Sequence, residues 1–570
     1  MKAKRNTLLS ILMLFSLFSF NISALGGVTE TGLIDLSNLT DGSYVISDAG
    51  TYHFTGIYRG TPSAVIDSRG CKAVISVAAN ITEDIIIILE GVNISLTGEK
   101  QCPLSARNTT STVTVQLKGR NTLSAIHRYG CPALWTPETT NGKLIIENHS
   151  DEEGSLTVQG ARGYPGIGPI YANSQIQINS GTIKATGGSG ASGIGSGNYG
   201  SAITITGGEV YAKGGDNGAG IGGNDADVIS ISGNNTIVHA EGGFCGAGIG
   251  GGYACTGGII SISGGEVHAS GGAKQGYNSA AGIGGGCIGA GGTISISGGK
   301  VYAIGAQGGA GIGGGYIGAA GTISISGGEV YATGGDSYGT GIGGSIRSIE
   351  GTITITGGEV TVTKGANATY DIGGHNAAVD LLIIGPDANV KKNESNEAVS
   401  YSNYSSGFVF SEGFATAKGD ATLLADMTID ASERLNIPLT TSLTINQGVT
   451  LTNDGTIQND GTIQNNGTIQ NDGTIYNNVT ISGNGTIEGN APVSQKAPTE
   501  IVDFTVEGKT YNGTPISVTA PKVKTTGESA EVVGNATLTF YQEDTPLGNA
   551  PVNAGSYKVI ASYSGDDNYK

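Results

Sequence analysis

The triplet Gly-Ile-Gly recurs along this chain at intervals that nearly fix its architecture. It begins at residues 166, 193, 220, 248, 282, 311 and 341, and Asp371-Ile372-Gly373 continues the series. The intervals are 27, 27, 28, 34, 29, 30 and 30 residues. Self-similarity at a period of about 20–50 residues marks units that cannot bury an apolar side alone and must stack on their neighbours.

Between the triplets lies a second phrase, Thr293-Ile294-Ser295-Ile296-Ser297-Gly298-Gly299-Lys300-Val301-Tyr302-Ala303, with cognates at 202–212, 259–269, 322–332 and 352–362. Ile294 and Ile296 are two apart, so both point to one side of a strand while Thr293, Ser295 and Ser297 point to the other. Gly298-Gly299 permits a turn that a Cβ would resist. Beyond it, Val301 and Ala303 point in and Lys300 and Tyr302 point out. The Gly-Ile-Gly triplet supplies a third short strand. No amphipathic helical period interrupts the series, which excludes a βαβ sheet and a leucine-rich horseshoe. The expected fold is all-β: a right-handed, single-stranded parallel β-helix, three short strands per turn. Ile85 to Leu96, Val113 to Ala125 and Leu144 to Gly160 keep the same beat upstream. About eleven to fifteen turns, each about 4.8 Å high, predict a rod of roughly 50–70 Å.

Glycine supplies 100 of 570 residues. Collagen would need it strictly at every third position, and disorder would need few branched apolar residues. Neither holds. The formal charge of −18 argues against nucleic acid and anionic membranes as partners. Lys2, Lys4 and Arg5 precede an apolar run from Leu8 to Phe20 and a small-residue site at Ile22-Ser23-Ala24. That pattern predicts a signal peptide over 1–24 and a secreted, extracellular chain associated with a cell surface, with no membrane insertion. The β-helix is expected over 25–390. Cys71, Cys102 and Cys131 are 31 and 29 residues apart, so they are expected to stack in neighbouring turns. They form either a ladder of small buried side chains or a disulfide between two of the three.

A β-solenoid extension is expected over 391–496. Within it, near-copies of Gly455-Thr456-Ile457-Gln458-Asn459-Asp460 fill 455–490. One Ile per six residues suits a thin solenoid that acts as a spacer. A series of Asn-Asp-Gly hairpins is the alternative, with strands short enough to be marginal.

The upstream turns carry a family resemblance. Gly50-Thr51-Tyr52-His53-Phe54-Thr55-Gly56, the run Ile86 to Ile94, the run Val113 to Ser124, and Gly154-Ser155-Leu156-Thr157-Val158 followed by Gly166-Ile167-Gly168 resemble successive turns of a secreted carbohydrate-binding β-helix family first described in cellulolytic clostridia. The likeness covers roughly residues 40–360. It implies the architecture of pectate lyases and a polysaccharide or glycan partner. In some members that partner is an acidic plant polysaccharide held with calcium. Calcium is implied here by the resemblance alone, and no cofactor is assigned. Over 498–570, Thr510-Tyr511-Asn512-Gly513-Thr514-Pro515, Ala554-Gly555-Ser556-Tyr557-Lys558-Val559 and Tyr563 to Tyr569 resemble the Ig-like MBG or YDG modules of bacterial adhesins. In that family a last strand follows, so the module is expected to be incomplete and the chain a fragment.

A β-helix can also be an enzyme. Glycoside hydrolysis needs two carboxylates at a set separation, one with a raised pKa, and the repeat turns carry few acids. Asp225 with Asp227 is the nearest thing to a metal cluster. His127-Arg128 and Asp371 with His375 lack supporting partners. Gly284-Gly285-Gly286-Cys287-Ile288-Gly289 satisfies GxGxxG but opens no helix, so it is not a nucleotide site. The chain is read as non-catalytic, with no catalytic residue and no metal site. The positive candidate is an outer ladder. Aligned turns place Lys184, Tyr211, His239, His268, Tyr302, Tyr331 and Thr361 on one face, with Glu209, Glu266, Lys300, Glu329 and Glu359 two residues earlier. The turn holding His239 has two extra residues. Stacked aromatics are expected to offer a flat platform for sugar rings, and carboxylates accept hydroxyl hydrogen bonds. The candidate glycan contacts are therefore Tyr211, His268, Tyr302 and Tyr331 with Glu209, Glu266 and Glu329, and a neutral glycan suits an acidic face best. Like residues also stack in β-helices simply to cover a sheet and hold its register. On that alternative the protein is a stalk that displays distal modules.

Overall fold

The computed structural model describes residues 32–563 apart from short internal stretches, of which 393–405 and 503–512 are the longest. Residues 1–24, expected to be a signal peptide, together with Asp225, His375 and Tyr511-Asn512, lie outside the described residues. Among the described residues every regular element is a strand except one 3-10 turn, Leu36–Asn38. The repeat turns stack in parallel, each strand pairing with its cognate one turn on. The fold is a parallel β-helix.

The two-residue period works as the sequence predicts. Ile294 lies on Ile323 and Ile353, Ile296 on Ile325 and Ile355, and Val301 on Val330 and Val360, all fully buried. Burying each such side chain is worth about 1.5–3 kcal/mol. In the later turns the first two faces are one bent strand, such as Thr293–Ile304. Pairing slips at the Gly-Gly corner, where Gly299 sits at φ 85°. In the middle turns the same faces are separate strands, such as Ser201–Ile205 and Glu209–Lys213.

The third face is made by Ile283–Gly284, Ile312–Gly313 and Ile342–Gly343. Its isoleucines fill the core. Its glycines let successive backbones close: a Cβ on Gly313, at φ 130°, would meet the Gly343 carbonyl oxygen at 2.0 Å.

The first turns add a second, smaller core of Ile66, Cys71, Ala73, Cys102, Cys131, Trp135 and Ile170. Cys71 and Cys131 form a disulfide, with Cα atoms 7.0 Å apart. It skips the intervening turn. Direct stacking of the three cysteines does not occur, because Cys102 lies opposite Ala73, two residues beyond Cys71. Cys102 stays a buried free thiol, and burial pushes its pKa up.

The six-residue units also pair in parallel, residue i with residue i+18: Thr456 with Thr474, Thr462 with Thr480, Thr468 with Thr486. Three units therefore make one turn of a narrower solenoid, and the hairpin alternative does not form. Beyond it lie two three-stranded antiparallel sheets, one of Thr499–Val502, Lys522–Thr525 and Val532–Asn535, the other of Thr537–Gln542, Thr545–Leu547 and Lys558–Ser562.

Candidate functional site

The second face carries the ladder the repeat predicts. Lys184 pairs with Tyr211, Tyr211 with His239, His239 with His268, His268 with Tyr302, Tyr302 with Tyr331 and Tyr331 with Thr361. His239 keeps register despite its two extra residues. They are taken up in the turn before it, where the Thr236 amide donates to the Gly233 carbonyl at 3.2 Å.

The rings stack on one another. Their centroids are 4.7, 4.8, 4.6 and 4.8 Å apart and their planes lie within 8–14°. These distances match the spacing of the strands that carry them. The flat sugar platform expected of stacked aromatics is therefore not presented: the ring faces are spent on neighbouring rings. The ammonium of Lys184 lies 5.3 Å from the Tyr211 centroid and covers that end of the stack. The ladder therefore offers solvent its ring edges and polar atoms.

The acidic row answers those edges within the protein. The Tyr211 hydroxyl donates to Glu209 and the Tyr331 hydroxyl to Glu329. These bonds raise both tyrosine pKa values and lower that of Glu329. His268 Nε2 lies 2.9 Å from Glu266 Oε1. Lys300 lies 3.4 Å from Glu329, and its pKa is raised by the Tyr302 hydroxyl and by Glu329. His239 differs because the residue two before it is Ile237, so no carboxylate occupies that rung. Burial, then the neighbouring His268, lower its pKa.

An open groove of about 550 Å³ runs beside the rings over Lys184, Tyr211, His239, His268 and Tyr302. Its other wall is the row two residues later, Thr186, Lys213, Glu241, Ser270 and Ile304. Lys213 and Glu241 form an ion pair at 2.6 Å. Of the predicted contacts, Tyr211, His268 and Tyr302 line the groove. Tyr331 extends the stack beyond it. Glu209, Glu266 and Glu329 lie on the far side of the ring row and do not line it. Lys213, Glu241 and Ser270 went unpredicted, although the same two-residue period places them on this face.

Glu329, with its pKa lowered, is the opposite of a general acid for glycoside cleavage. Asp227 is fully buried, and its Oδ1 accepts from the Ser201 amide at 2.6 Å, so its carboxylate is committed to capping a strand. Among the described residues no group of three or more His, Cys, Asp or Glu is placed to hold a metal. Among the described residues of these turns, the carboxylate-rich donor set that calcium requires is not assembled.

Residues 176–198, 203–225, 229–253, 260–287, 294–316 and 323–346 match the family model described as Beta helix repeat. No curated protein and no solved structure matches the chain.

Proposed function

Starting from a parallel β-helix built of Beta helix repeats, we propose that this protein is a non-catalytic, cell-surface glycan-binding protein whose binding surface is the groove beside the aromatic ladder. The carrying observation is the groove itself. It extends over five turns, with ring edges on one wall and Lys213, Glu241 and Ser270 on the other. Such a surface gives apolar contact and paired donors and acceptors, which is what a hydroxyl-rich ligand needs. Two lysines against one carboxylate, with the Glu row behind the rings, suit a neutral glycan better than a polyanion on this face. The export pattern over 1–24 supports a surface location. The antiparallel sheets of 499–562 support an Ig-like module distal to the rod.

The test is binding of the full chain to a glycan array, followed by Tyr302→Ala combined with Lys213→Ala. A neutral oligosaccharide is expected to bind, and the double variant to weaken it at least tenfold. An array without any neutral-glycan signal would overturn the reading. The Tyr–Glu pairings favour a second reading, a stalk whose ladder only holds register. On that reading the same variants change stability and no affinity. Release of unsaturated uronate products absorbing in the ultraviolet would make the protein a lyase instead.

A further inference from the structure

The chain is acidic overall, yet one corner of its first turns is basic. Arg69, Lys100, Arg128 and Arg162 are 31, 28 and 34 residues apart in sequence. The fold brings them to the wall of one pocket of about 440 Å³, together with Tyr129 and Tyr164. The only carboxylate on that wall is Glu99, so four cations face one anion in a chain of charge −18. They recur once per turn, at about the 4.8 Å rise of the stack. The row then ends, because the next corners present Ser189 and Asp216.

The cations differ in how they are held. Arg69 is fixed by Asp67 at 2.8 Å and by the Tyr164 hydroxyl at 2.5 Å, and its guanidinium lies 5.4 Å from the Tyr164 ring centroid. Among the described residues no ion pair engages Lys100, Arg128 or Arg162, and all three are exposed. Lys100 sits at φ 55°, a left-handed conformation that Gly70 (φ 81°) and Gly163 (φ 80°) take in neighbouring corners. Later corners place Asn217 (φ 68°) and Cys245 (φ 65°) in the same conformation, so this corner accepts side chains, and in the early turn the one it presents is a cation.

We propose that this corner binds a linear glycan carrying sulfate esters, through direct guanidinium and ammonium contacts and without a bridging metal. A carboxylate offers two oxygens, which one guanidinium satisfies in a bidentate pair. A sulfate ester offers three acceptors and spans cations on adjacent turns. The site is separate from the ladder groove and takes an anionic ligand where the groove suits a neutral one.

The experiment measures binding of the full chain to heparin, with polygalacturonate as the carboxylate comparison, in 50 and 500 mM NaCl and with chelator present. Heparin is expected to bind more tightly than polygalacturonate and to weaken at least tenfold at the higher salt. Arg128→Ala with Arg162→Ala is expected to weaken heparin at least tenfold. Lys100→Gly is expected to weaken it severalfold while raising the thermal midpoint, because glycine relieves the left-handed backbone. Tyr302→Ala is expected to leave heparin binding unchanged, which separates this site from the ladder. Absent heparin binding, a requirement for calcium, tighter binding of polygalacturonate, or full affinity in both corner variants would each overturn the proposal.

Discussion

The two solenoids in this chain solve the same problem with different atoms. In the wide β-helix a turn has room for Ile, Val and Ala columns on two faces and an isoleucine on the third, all buried. Its third face closes through glycine, backbone against backbone. The narrow solenoid spends only eighteen residues on a turn and has one isoleucine per strand. Asparagines occupy its remaining interior positions. Asn453 Nδ2 donates to Asn471 Oδ1 at 2.6 Å and Asn459 Nδ2 to Asn477 Oδ1 at 2.6 Å. Asn453 and Asn459 also reach the Thr474 and Thr480 carbonyls, at 3.2 and 3.3 Å. Where apolar volume runs short, a polar ladder replaces it. The amide nitrogens donate along the column, while Asn453 Oδ1 and Asn459 Oδ1 stay buried and accept no bond from the described residues, so the column is held through its donors.

The comparison breaks most sharply at glycine. Gly313→Ala places a Cβ 2.0 Å from the next turn's carbonyl at φ 130°, and is expected to cost about 3 kcal/mol or more. Gly190→Ala, at φ 89° but facing open space, is expected to cost only about 1 kcal/mol. Thermal and urea midpoints of the two variants measure the difference; equal midpoints would mean that backbone closure is not what the wide turns depend on. In the narrow solenoid, Asn459→Ala orphans its partner in the ladder and is expected to cost about 1–3 kcal/mol. That loss is local, so amide exchange should accelerate over 456–480 and stay unchanged in the wide turns. Exchange that accelerates throughout the chain would show that the two solenoids unfold as one unit.

Much of this was legible because period alone carries it. The Ile294 and Ile296 columns, the positive-φ Gly299 corner and the rungs from Lys184 to Thr361 all follow from residues two apart in units of about thirty. What was not legible depends on direction and depth. Sequence spacing put Tyr302 under Tyr331 but could not say that their faces would be spent on each other. It placed the Glu row beside the rings without showing that Tyr hydroxyls would occupy it. Two-residue slips between irregular turns hid the Cys71–Cys131 pairing. The corner cations fell in segments whose lengths vary from turn to turn, so no fixed offset marked Lys100 and Arg128 as neighbours.

The smallest expected effect separates the solenoids by pH. The narrow solenoid over 453–490 has no histidine, whereas the wide one holds His239 between Tyr211 and His268 with Ile237 on the acidic rung. Glu209 and Glu266 act on it only from neighbouring turns, and burial with His268 outweighs them to lower its pKa. A lowered folded-state pKa means that the unfolded chain takes up the proton first as pH falls. The wide helix is therefore expected to lose stability on acidification below the ordinary histidine value of about 6.5, and to gain none above it. Thermal midpoints at pH 5.5 and 7.5 check this: His239→Gln should narrow the gap between them. A gap that persists unchanged in the variant would mean that the stack accommodates the imidazolium, and that the missing carboxylate at Ile237 does not matter to it.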